Sequence, residues 1–386
     1  MAVKIVRQTN KIALLGAPSS AAAMSAGHEG APTALRAAGL VERLKAIGYA
    51  VADLGDDPVQ LYKPDEESPR ARNLTRVLAS LESLKPRVEQ AVKSAALPLI
   101  LAGDCSVALA TVAGARRYFR KVSMIYMDRD ADLNTPATTV TGCVDGMVVS
   151  HLAGRGAAEL VRFWGEPPLV REPDLALFGV ARLDPPEEQL LATSPLRRYL
   201  ASDVQRLGAA AAAHAAIERI RGNGYQFVLH FDVDVIADFA ATNYPGSGGL
   251  SLAEVREALL VFAQQRELAA FEVTAYNPTK DRDGSGAKLI IELLAEVLEA
   301  RLKTLQAAEA ALAPPPVAAA GAAGRASAAP PEKSSAAPDP TPVAAPSEAW
   351  SSDSLDLDSE ANSSDESSGT SSDASESSEE SSGSHS

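Results

Sequence analysis

The stretch "MIYMDRDADLNTP" (124–136) ends an apolar run in Asp128, Asp130 and Asp132, three carboxylates at every second position. Alternate residues of an extended chain point to one side, so the three are expected to converge at the end of a strand. Like charges that close repel unless a cation lies between them. A second alternate pair, Asp232 and Asp234, ends "FVLHFDVDV" (227–235), and Cys105 follows the apolar run "LILAGDCS" (99–106). Carboxylates suit hard or borderline divalent ions, and a thiolate adds a softer donor. Six donors from three strands exceed the needs of one catalytic ion. Two ions sharing bridging carboxylates would use them all and could activate water for an addition step.

Short apolar runs alternating with helical patterns must position these donors. Strands are expected at 11–17, 50–55, 97–103, 122–128, 175–180, 226–235 and 268–276, with helical patterns at 31–48, 71–95, 106–118, 207–224, 251–265 and 285–306. Strongly hydrophobic strands alternating with helices imply an α/β fold with a parallel sheet covered on both faces. In such sheets the active site lies beyond the C-terminal strand ends, where these acidic residues collect. His230, just before the Asp232 pair, reads as a packed strand residue. Arg129 is expected to point away from its Asp neighbours, in a packing or ion-pair role.

The 386 residues are not uniform in composition. Residues 310–349 read as an Ala/Pro-rich linker and 350–386 as a Ser/Asp/Glu-rich acidic tail. Neither buries enough apolar surface to offset chain entropy, so both are expected to be disordered. The tail carries ten of the fourteen net negative charges and many serines flanked by acids, which would gain charge on phosphorylation. The folded domain is placed at 1–309. The overall acidity of the chain argues against a nucleic-acid partner, and no apolar run is long enough for a membrane span. Two cysteines, Cys105 and Cys143, with no secretory signal, point to a reducing cytoplasm.

At this point the motifs resemble a known family. "LAGDCS" (101–106) resembles G-G-D-H-S of the arginase/agmatinase (ureohydrolase) family, and "DRDADLNTPATTVTGCVDGM" (128–147) resembles D-A-H-A-D-x-N-T-P-x-T-T-x-S-G-N-x-H-G-M without a gap. "FDVDV" (231–235), "PGSGGLS" (245–251), "YNPTKDRDG" (276–284) and "GHEGAPTALRAAGL" (27–40) also match. The resemblance implies a three-layer αβα fold of the arginase/deacetylase type with a mostly parallel sheet. It also implies two divalent ions, manganese first among them, and hydrolysis of a C–N bond of a guanidino or amidine compound through a metal-bound hydroxide. Carried over by position, Cys105, Asp128, Asp132 and Asp232 would hold one ion and Asp128, Asp130, Asp232 and Asp234 the other. Asn134, Thr141, Cys143, Asp184 and Glu187 would line the substrate side. The partner implied is a small cationic guanidino or amidine substrate, with the chain in a homo-oligomer, a trimer or hexamer.

The chain departs from the family at its centre. Cys105 and Asp130 stand where the motifs carry metal-binding histidines, Asp145 replaces the catalytic histidine, and Ala275 replaces the glutamate that holds the guanidinium. Replacing two neutral imidazoles by a thiolate and a carboxylate adds two negative charges, which binds metal more firmly but weakens its Lewis acidity. Cys and Asp can still ligate, so a retuned hydrolase is the first expectation, with Asp145 in catalysis. The alternative is a catalytically silent homologue with a structural or regulatory role, its acidic tail serving as an interaction segment.

Overall fold

The structure, a computed structural model, describes residues 7–221 and 225–312. Eight strands form one sheet: β1 (Lys11–Ala17), β2 (Ala50–Asp56), β3 (Leu97–Ala102), β4 (Val122–Met127), β5 (Leu175–Val180), β6 (Arg197–Leu200), β7 (Gln226–Asp232) and β8 (Leu268–Thr274). Their order is β2-β1-β3-β8-β7-β4-β5-β6, and all seven pairings are parallel. The central strands are buried along nearly their whole length. That is why their sequences read as continuous Leu/Ile/Val/Phe runs rather than alternating ones.

Successive strand residues feed two cores. Ile12, Leu14, Leu99 and Leu101 pack on one face with Leu35, Leu44, Val255 and Ile290, while Leu15, Ile100 and Tyr126 pack on the other with Val77, Leu81 and Val107. Helices therefore cover both faces, giving the three layers. The pattern at 31–48 divides into Ala31–Ala37 and Leu40–Ala46, because Gly39 adopts a left-handed φ of 95° between them. The last helix, Ser285–Leu312, runs just past the expected boundary at 309. The rest of the expected linker and the whole acidic tail lie outside the described residues. Among the described residues no helix is long and apolar enough to cross a membrane.

Strands β3, β8, β7 and β4 are neighbours at the centre of the sheet. Their C-terminal ends bring Cys105, Asp128 and Asp232 together although these are separated by up to 127 residues of chain.

Candidate metal centre

A cavity of about 120 Å³ opens at these strand ends, lined by Met24, Cys105, Asp128, Asp130, Asp132, Thr141, Cys143, Asp145, Gly146, Arg182, Asp232, Asp234 and Tyr244. At its floor the Cys105 thiol donates to Asp232 Oδ2 at 2.9 Å. Two short turns hold the carboxylates in place. Asp128 Oδ1 accepts the Asp130 N–H and Asp232 Oδ1 accepts the Asp234 N–H, each at 2.7 Å. Potential ligand atoms fall into two groups, each with its members within 4.8 Å of one another: Cys105, Asp128, His230 and Asp232, and Asp128, Asp130 and Asp234. Asp128 belongs to both, as a bridging carboxylate would.

The alternate spacing does not act as an extended strand would. β4 ends at Met127 and β7 at Asp232, where a 3₁₀ turn, Val233–Val235, takes over. Asp132 has a left-handed φ of 51°, and its carboxylate accepts the Tyr126 hydroxyl. It lines the cavity but joins neither ligand group. Asp130 ion-pairs with Arg182 and, at 3.4 Å, with Arg129. Arg129 takes the ion-pair role expected of it, but toward the site: its guanidinium is 3.8 Å from Asp234. Among the described residues Asp234 Oδ1 and Arg129 Nε have no hydrogen-bond partner.

Burial dominates the electrostatics. It pushes the Asp128, Asp132 and Asp234 carboxyls and the Cys105 thiol well up, and neighbouring carboxylates add to the effect. Asp232 is raised to about 6 and Asp145 to about 7, burial again leading. Without a cation the cluster must take up protons; a divalent ion would displace them. Asp145 is held by the Cys105 N–H at 2.7 Å and the Tyr244 hydroxyl at 3.1 Å. Sequence reasoning did not single out Tyr244; no spacing marks it, and a long excursion brings it to Asp145.

The expected substrate-side residues divide. Thr141 and Cys143 line the cavity, and the Thr141 hydroxyl accepts the Cys143 N–H at 3.2 Å. Asn134, Asp184 and Glu187 do not line it. Asn134 Nδ2 donates to Asp184 at 2.9 Å. Glu187 accepts the N–H groups of Leu133 and Asp184 at 2.9 and 2.8 Å, closing a capping box on the helix Pro185–Thr193. Ala275 is buried with a left-handed φ of 64°, its N–H bonded to the Gly103 carbonyl at 2.8 Å.

His230 is more than a packed residue. Parallel pairing sets Tyr126, His230 and Glu272 side by side on β4, β7 and β8. Alternation along β7 puts His230 on the same face as Asp232, one layer below it. Its Nδ1 lies 2.8 Å from Glu272 Oε2, and its ring stacks on Tyr126 at 4.2 Å.

Comparison with known proteins agrees with this architecture. Arginases from Bacillus subtilis and Bacillus caldovelox are 29% and 28% identical to the chain over 294 and 297 residues, covering 75% of it and 98% and 99% of themselves. The solved Bacillus caldovelox arginase aligns with a TM-score of 0.70 over 75% of this chain and 98% of its own, at 28% identity. Formimidoylglutamase from Bacillus subtilis, at 19% identity and a TM-score of 0.61 over 77% of this chain and 88% of its own, shares the fold. The arginase family pattern matches residues 10–299, the whole sheet and every strand end that builds the cavity, so the chain belongs to the arginase family.

Proposed function

We propose that the protein is a divalent-cation-dependent hydrolase of the ureohydrolase type, cleaving a C–N bond of a small cationic guanidino or amidine compound. The observation that carries this reading is the buried cluster of Cys105, Asp128, Asp232 and Asp234 opening into the cavity. A divalent ion there would supply Lewis acidity and lower the pKa of water. Asp145 faces the same cavity; without a cation burial raises its carboxyl to about 7, and a bound cation would draw it down toward the ionised form that accepts a proton. The Cys105 N–H and the Tyr244 hydroxyl, one on each oxygen, hold its carboxylate in place. The carboxylates around the cavity favour a cationic substrate. Because Ala275 stands where the family pattern has a glutamate, the amidinium is left to Asp132 and Asp145, the cavity carboxylates outside the two ligand groups, and arginine itself should be a slow substrate. Manganese in two positions, a trimer or hexamer and a cytoplasmic location complete the reading that the family carries. The chain's own donors bear unequally on the two cation positions.

The test is release of urea or ammonia from a panel of guanidino and amidine compounds by metal-loaded protein, with Asp128→Asn as control. Turnover that Asp128→Asn abolishes supports the reading. A protein that binds metal yet acts on none of the panel is the silent homologue, a second reading favoured by the Arg129 and Arg182 pairs that already neutralise Asp130.

A further inference from the structure

We infer that the two cation positions are unequal: one zinc-type ion is held by Cys105, Asp128, His230 and Asp232, and the Arg129 guanidinium stands in for the second. This inference rests on the metal-dependent reading above and revises its stoichiometry and metal.

His230 is set up as a ligand. With Glu272 at Nδ1 the proton is assigned to that nitrogen, so Nε2 is the acceptor; it lies 3.3 Å from the Thr274 hydroxyl, in the layer of Asp232, and a cation would displace this one long hydrogen bond. A carboxylate on the far nitrogen is how ligating imidazoles are usually oriented. Stacking on Tyr126, with 3° between the ring planes, fixes the remaining freedom. Both members of the dyad are fully buried, and a buried glutamate whose second oxygen has no partner is costly for packing alone. Tyr126 also draws Asp132 aside, so His230 takes from below the place that Asp132 was expected to fill. Among the described residues no Lys or Arg ion-pairs with Asp128 or Asp232. This position therefore lacks a positive charge of its own. One thiolate, one imidazole and two carboxylates make a mixed four-donor set suited to zinc rather than to manganese.

The second position already carries positive charge of its own. Arg129 reaches both Asp130 and Asp234, and Arg182 holds Asp130 from the rim. The Arg129 side chain is only 7% exposed. Gly246 makes room for it: a Cβ there would lie 1.7 Å from Arg129 Nη1. A divalent ion placed among these carboxylates would face a buried guanidinium at contact range. Where the family motif reads Ala and His, this chain carries Arg129 and Asp130.

The experiment uses the full chain, purified without chelator, loaded with Zn²⁺ or Co²⁺ and dialysed. Elemental analysis should give one ion per chain. The cobalt form should show a thiolate charge-transfer band in the near ultraviolet, and X-ray absorption at the zinc edge should show sulfur with imidazole scattering. His230→Gln should lower zinc affinity at least about 100-fold and Glu272→Gln about 10–100-fold. Arg129→Ala should raise the cobalt or manganese content to two. Two ions per wild-type chain, or a zinc-edge spectrum with no imidazole, overturns this inference while leaving the hydrolase reading intact. Wild-type protein that binds no ion after loading overturns the metal-dependent reading itself, and this inference with it. If His230→Gln does not fold, the wild-type absorption spectrum and Glu272→Gln decide.

Discussion

Asp145 offers a measurable link between the buried cluster and stability. Its carboxyl is raised from 3.8 to about 7, chiefly by burial and then by Asp104. The folded chain therefore keeps a proton that the unfolded chain releases. That contribution is full at low pH and is lost as pH rises through about 7. Between pH 5 and 8 the loss spans roughly two pH units, about 3 kcal/mol. Other groups titrate too. His28 and His151 are buried with pKa values lowered to about 3 and about 4, so they act in the opposite sense between pH 5 and 6.5. The readout is thus the difference between wild type and Asp145→Asn, in which the histidines cancel; Asp232, raised to about 6 by burial and in part by the Asp145 charge, titrates in the same window, and its relaxation in the variant adds to the difference in the same sense. In the presence of chelator, Asp145→Asn should gain on wild type by about 3 kcal/mol from pH 5 to pH 8. For a folded body of this size that is about 5 °C in Tm. Differential scanning calorimetry across this range is the assay. A Tm difference that stays constant within about 1 °C would show that Asp145 is already ionised at pH 5 and that the cavity is wetter than its burial implies. Added Zn²⁺ should stabilise wild type more at pH 8 than at pH 5, since binding releases protons.

Gly246→Ala should drive its new methyl into Arg129 and destabilise the fold by about 1–3 kcal/mol, read from urea midpoints; an unchanged midpoint would mean that Arg129 has another place to go. Cys105 and Cys143 are buried and their thiols raised, so the native chelated protein should react with iodoacetamide at pH 7.5 far more slowly than the unfolded chain, by mass spectrometry; rapid labelling of either would contradict the packing. Truncation after Leu312 should leave Tm unchanged, because among the described residues the last member of either hydrophobic core is Leu302; a large drop would give the acidic tail a role in the fold.

The parallel sheet was legible because its central strands are buried on both faces, which forces long apolar runs such as "LPLILA" and "VSMIYM". The edge strand β6, four residues with two arginines, carries no such run and was missed. The helix Pro185–Thr193 was missed for a related reason: its start is marked by a capping box rather than by apolar periodicity. Within the site, the period-2 rule brought the right carboxylates to the right end of the sheet. It failed at Asp132, where a left-handed φ turns the side chain to Tyr126. A sequence does not print that dihedral at a non-glycine residue. His230 shows a deeper limit. Its place two residues before Asp232 puts both side chains on one face of β7, and that much was readable. Its meaning depends on Glu272 lying across from it on β8 and Tyr126 on β4, a register that only the assembled sheet supplies. The same holds for Arg129, whose partner Asp234 and whose space beside Gly246 come from distant turns. What the motifs preserve is the carboxylate framework. What distinguishes this chain, a carboxylate-backed imidazole under one inferred cation position and a guanidinium in the other, is written in contacts between strands. With Cys at 105 the nitrogen donor near Asp128 and Asp232 is His230, and the charge of Asp130 is met by Arg129 and Arg182.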